Sequence, residues 1–262
     1  LVGRDQQVTI EQLLNPATQA SALAALSSPT RQLLGQTQLQ WLQGQMSASK
    51  ASWQVLGQQV LMARMTVPLS ILNALNPANT SPTAVADGAK AVTDYLTAKA
   101  TPVAARTPAQ QALLNPAINP ELGYNLDAWD GYPAAREYVL GTAAQLGKKL
   151  VVLAGDTHNA WHSSLTLMDG RKVGEEFATS SVSSPGLENY LAALPPEQVK
   201  FIFENVIDDL DWMDPKRRGF LKMTFTASAA KGEWVFVDRI DSRSYAVDAA
   251  AGKTLVYQPG LG

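Results

Sequence analysis

Asp156 and His158 stand one residue apart just past an apolar run, Leu150 to Ala154, in the stretch KKLVVLAGDTHNAWHSS. A carboxylate and an imidazole at this spacing supply one hard oxygen and one nitrogen donor, a combination suited to zinc, iron or manganese. The same two residues have a plainer use. Asp156 can cap a turn or the following helix through its side-chain oxygen, with His158 an ordinary polar loop residue. The second and last histidine, His162, lies four positions on, where it is a catalytic candidate or a structural residue at the start of the next element.

The elements that must position these groups are legible in outline. An unbroken apolar run reads as a strand covered on both faces, and open α/β sheets bind ligands beyond the carboxyl ends of such strands. Tyr132 to Leu146 reads as a helix with Pro133 in its first turn, closed by Gly147, leading straight into that strand. Upstream, Leu34, Leu39, Trp41, Leu42 and Met46 are spaced as a helix over Arg31 to Ser47, and Ser52 to Met62 reads as a strand. SSLTLM and GEEFATSSV read as further strands, and RGFLKMTFTA with GEWVFVDRI as an antiparallel pair around an Ala-Lys-Gly turn. The expected class is layered α/β. From Leu69 to Leu126, Pro77, Pro82, Pro102, Pro108, Pro116 and Pro120 interrupt Ala/Thr-rich sequence. This reads as a long excursion with one short helix over Ala89 to Lys99, serving as a lid or binding loop or as decoration.

Composition narrows the function classes. With 46% hydrophobic residues in 262, the chain can bury one substantial core. A net charge of -2 gives no nucleic-acid footprint or electrostatic membrane anchor, and no apolar run approaches the roughly 18 residues of a membrane span. Zero cysteines remove disulfides and thiolate ligands from this chain. The first residues, LVGRDQQVTIEQLL, have neither an initiator methionine nor the charged and apolar regions of a signal peptide.

Four stretches, in order and spacing, carry a resemblance. They are RQLLGQTQLQWLQGQMSASKASWQVLGQQVLM (Arg31 to Met62), NLDAWDGYPAAR (Asn125 to Arg136), LAGDTHNAW (Leu153 to Trp161) and EEFATSSVSSPG (Glu175 to Gly186). Together they resemble the PhoD-like alkaline phosphatase and phosphodiesterase family of calcineurin-like metallophosphatases. The resemblance implies a four-layer αββα sandwich with metals at loops beyond the strand ends. It implies Asp156 and His158 as metal ligands, Asn159 and Trp161 as residues shaping or supporting the site, and Asp130 close to it. It implies iron and calcium as the metals, with zinc or manganese as alternatives, and hydrolysis of a phosphate monoester or diester outside the cytoplasm, in the periplasm or extracellularly. Apart from the resemblance, His162 could approach the substrate phosphate, while its place at the start of an element after Trp161 favours a structural role.

The departures matter as much. The family's earlier half carries a Cys, a Gly-Asp-Tyr and an Asp-Asp-His segment that supply most remaining ligands, and none occurs here. Even an open zinc site usually has three protein ligands. Residues 1–262 are therefore expected to be the C-terminal part of one metallophosphatase domain, partnered by an N-terminal half and inactive alone. The rival expectation is a non-catalytic structural or interaction module. Ser180, Ser181, Ser183 and Ser184 form no Gly-x-Ser-x-Gly elbow, and Lys216, Arg217 and Arg218 read as a solvated charged turn.

Overall fold

A computed structural model describes residues 8–74 and 81–260. Its helices are α1 (Ile10–Leu14), α2 (Gln19–Leu26), α3 (Gln36–Ala48), α4 (Leu69–Ala74), α5 (Ala84–Ala100), α6 (Pro108–Leu113), α7 (Pro133–Gln145), α8 (Leu187–Tyr190) and α9 (Pro196–Val206). Its strands are β1 (Gln54–Gly57), β2 (Thr66–Pro68), β3 (Glu121–Gly123), β4 (Leu150–Ala154), β5 (Ala160–Thr166), β6 (Lys172–Ala178), β7 (Leu210–Asp214), β8 (Gly219–Phe225), β9 (Ala230–Phe236) and β10 (Lys253–Tyr257).

Five strands form one sheet in the order β1-β4-β6-β5-β7. The β1-β4-β6 part is parallel, and β5 runs antiparallel to both β6 and β7. The unbroken apolar run of β4 follows from cover on both faces. Leu150, Val152 and Ala154 join the core formed with α3 and α7, while Val151 packs with Phe177, Trp234 and Phe236 against a second sheet, β10-β9-β8. Among the described residues the stack is helices, sheet, sheet. No helix packs extensively on the outer face of the small sheet, where Phe220 and Val256 are each 52% exposed, so these residues form three layers of the four expected.

Several sequence boundaries shift for identifiable reasons. The helix expected from Arg31 starts at Gln36, because Gly35 at φ 74 redirects the chain and Arg31 turns away to donate to the Gly131 carbonyl and lie over the Tyr132 ring. The strand expected to reach Met62 stops at Gly57: Gln58 and Gln59 still bond Leu153 and Gly155, but beyond them the amides of Met62 and Ala63 bond the buried Glu176 carboxylate instead of a neighbouring strand. Ala230, Lys231 and Gly232 lie inside β9, and the hairpin turns at Thr226–Ala229. Gly232 is needed for contact rather than for turning: a Cβ there would sit 2.5 Å from the Phe177 ring.

The Pro-rich stretch is built structure rather than open loop. Its helix α5 has 17 residues against the eleven positions of the expected one, and it buries Val92, Tyr95 and Ala98 against α4, α6 and α9. Residues 75–80, and with them the expectation for Asn76 and Pro77, lie outside the described residues.

Candidate functional site

β1, β4 and β6 are parallel, so their carboxyl ends share one edge, and the loop from β4 to β5 leaves from it. That loop holds Asp156 and His158, both in the left-handed region at φ 64 and φ 61. Asp and His are among the non-glycine residues that tolerate this conformation best. The entry is fixed by the Gly155 amide donating to Gln59 O at 2.9 Å. At the exit, the Trp161 indole Nε1 donates to Thr157 Oγ1 at 2.7 Å.

His158 has a defined orientation. Its Nδ1 lies 2.7 Å from Pro185 O. A carbonyl only accepts, so Nδ1 carries the proton and neutral imidazole keeps its lone pair on Nε2. This is the arrangement in which a backbone carbonyl fixes a metal-binding imidazole. Asn159 is fully buried and holds the same segment: its Oδ1 accepts from Leu187 N at 3.0 Å and its Nδ2 donates to Pro215 O at 2.6 Å. Gly186 permits this approach, since a Cβ there would lie 2.6 Å from the Asn159 amide.

Asp156, Thr157 and His158 together line a cavity of about 520 Å³, whose other walls come mainly from Ile71, Leu191, Ile202, Phe203 and Val206. Within the described residues there is no group of three or more His, Cys, Asp or Glu placed to hold a metal ion. Asp156 and His158 fit such an ion in donor type and in the tautomer of the imidazole. Two such donors fall short of an open zinc centre, which has three protein ligands.

His162 is not brought to this edge. Trp161 points into the helix-side core, so the next residue along the strand faces the small sheet. There the His162 ring packs 4.7 Å from Phe177 and 6.2 Å from Trp234. His162 Nε2 bonds Glu175 Oε2 at 2.8 Å and Nδ1 lies 3.3 Å from Asp211 Oδ2. Burial alone would lower its pKa; Asp211 and Glu175 outweigh that and the net direction is upward. His162 is thus a buried ion-pair partner on the opposite face of β5.

A sequence profile of PhoD-like phosphatases matches residues 2–234. The chain belongs to the PhoD-like phosphatase family. It is 28% identical over 164 residues to alkaline phosphatase D of Bacillus subtilis (strain 168), covering 61% of this chain and 20% of that protein. A solved structure of PhoD shares the fold with a TM-score of 0.56 at 23% identity, over 88% of this chain and 34% of that one. The chain therefore spans 20% and 34% of the lengths of these two relatives.

The PhoD-like stretches meet at a second place, the buried backbone of Met62 to Met65. Glu176, fully buried on β6, accepts from Met62 N at 2.7 Å and Ala63 N at 3.0 Å. Asp130 accepts from Met65 N at 3.0 Å, and Arg136 Nε donates to Met62 O at 2.6 Å. Burial raises the Glu176 carboxyl to about 7 and that of Asp130 to about 6, against the amides and the Arg136 charge that favour ionisation. Asp130 therefore clamps backbone and lines a different hollow, with Arg64, Arg136 and Asp209. Tyr124 links the two places: desolvation and then the charges of Asp130, Asp156 and Glu176 raise its phenol. Sequence reading missed Glu176 and Arg136, because each stands beside a second charged residue, Glu175 and Glu137, and nothing in the sequence marks which of the two is buried.

Proposed function

We propose that this chain contributes part of the active site of a metal-dependent phosphoesterase acting on phosphate monoesters or diesters. The observation carrying this is His158, held by the Pro185 carbonyl as the tautomer whose Nε2 can bind a metal, one residue from Asp156. Asp156 and His158 would hold the ion, which supplies polarisation of the phosphoryl oxygens and acidification of water. Thr157 is fixed by Trp161, and Asn159 ties the turn to Leu187, so the backbone that carries the two donors is held in place. The remaining ligands would come from the part of its relatives that this chain does not span, an N-terminal half that also acts as its partner. Iron and calcium are the metals this reading favours, with zinc or manganese next, and the family resemblance supports a periplasmic or extracellular location.

The test is metal analysis of the complete protein together with hydrolysis of a generic phosphate ester, with and without chelator. Stoichiometric metal and chelator-sensitive turnover are expected, with negligible turnover from residues 1–262 alone. A metal-free complete protein with no turnover would favour the rival, a structural or interaction module.

A further inference from the structure

We infer that the cavity at the Asp156–His158 turn receives an apolar alkyl or aryl group on the alcohol of the phosphate ester. This names a substrate class for the function proposed above and rests on it. The cavity has the turn Asp156, Thr157 and His158 on its lining, and most of its other lining residues are apolar, with Tyr124 and Tyr190 adding aromatic faces. Its volume of about 520 Å³ is in the range of small-molecule pockets, roughly 300 to 1,000 Å³. No lysine or arginine is among its lining residues, so the walls offer no charge to a second anionic group. A ligand matched to it has a charged head at the turn and an apolar body beyond.

The walls are built and fixed to the turn. On α9, Ile202 and Val206 lie on the buried face and Phe203 stacks edge-on to Tyr124 at 6.0 Å. Across from them, Leu187 is held by Asn159, and Glu188 by an ion pair with Arg218. The carbonyl that orients His158, Pro185 O, begins the same wall segment. Filling the cavity therefore acts on the residues that set the imidazole.

The test uses the complete protein and a series of ester substrates with methyl, butyl and hexyl groups. Burial of each methylene contributes about 0.8 kcal/mol, so kcat/KM should rise up to about fourfold per methylene. In Leu191→Gln and in Tyr190→Ser, the latter at a side chain 81% exposed, the hexyl-to-methyl ratio should fall severalfold. Binding of the neutral alcohols hexanol over methanol to metal-stripped protein, by calorimetry, gives a readout independent of turnover and of any charge at the turn, with a negative heat-capacity change expected. Normal chelator-sensitive hydrolysis with a flat ratio would overturn the inference and leave the proposed function standing. Absence of all hydrolysis would remove the proposed function, and the alcohol pair would then decide the cavity: equal binding overturns its assignment, preference for hexanol upholds it. A cavity filled by another segment of the protein would give that flat ratio and equal binding.

Discussion

Nδ1 of His158 and the carbonyl oxygen of Pro185, 27 residues apart in sequence, are 2.7 Å apart in space. The bond joins the turn after β4 to the segment after β6, and it fixes which imidazole nitrogen is available to a metal.

If Asp156 and His158 are ligands, Asp156→Asn and His158→Ala in the complete protein should lose metal and turnover with little change in fold. Changes to residues that only orient ligands cost about 10 to 100-fold, so these losses should be larger. Full metal occupancy with near-normal turnover in either variant would remove the assignment.

Glu176→Ala should destabilise strongly without touching the turn. It leaves the buried amides of Met62 and Ala63 without an acceptor, at about 1 to 3 kcal/mol each. Denaturant unfolding checks this, and a loss below about 1 kcal/mol would mean that water replaces the carboxylate.

How far the sequence could be read is shown by where it succeeded. β4 was legible to the residue because both of its faces are covered, and the Asp-x-His turn because strand ends in parallel sheets are where ligands bind. Glu176 escaped notice because a charge in a strand reads as solvent-facing, whereas here it replaces the missing ladder partner of an irregular segment. Gly232 was taken for a turn because flexibility and close approach leave the same mark in sequence. The cavity walls come from α1, β2, α4, α8 and α9, and no local pattern reports that such distant segments share a surface.

His162 predicts a pH dependence. Its folded pKa is raised, so its stabilising contribution is fully present below its unfolded value of about 6.5 and lost as pH climbs through the folded value. The raised carboxyls of Asp130 and Glu176 act with the same sign at lower pH, between about 4 and their folded values of about 6 and 7. From about pH 4 upward these groups make unfolding free energy fall as pH rises, and His162→Gln should flatten the part above about 6.5. An unchanged slope in that variant would place the titration elsewhere.

Gly186→Ala should cost about 1 to 3 kcal/mol, the usual range for overpacking, because the added methyl meets the buried Asn159 amide at 2.6 Å. Thermal melting measures it. A wild-type melting temperature would show that Asn159 can move aside.

Removing α5 should abolish stable folding rather than shift substrate preference, because Val92, Tyr95 and Ala98 are core residues. Each large apolar side chain contributes about 1.5 to 3 kcal/mol by burial. A well-folded deletion variant, judged by circular dichroism and a cooperative melt, would return the segment to the status of a lid.

The Trp161 indole bond to Thr157 gives the protein its own spectroscopic reporter. Of six tryptophans, this one donates its N–H to a hydroxyl lying between Asp156 and His158. In a nitrogen-resolved NMR spectrum its indole resonance should move when the turn is occupied and stay fixed when it is not. Trp53, whose N–H bonds the Thr226 carbonyl near the opposite, amino end of β4, serves as the internal reference.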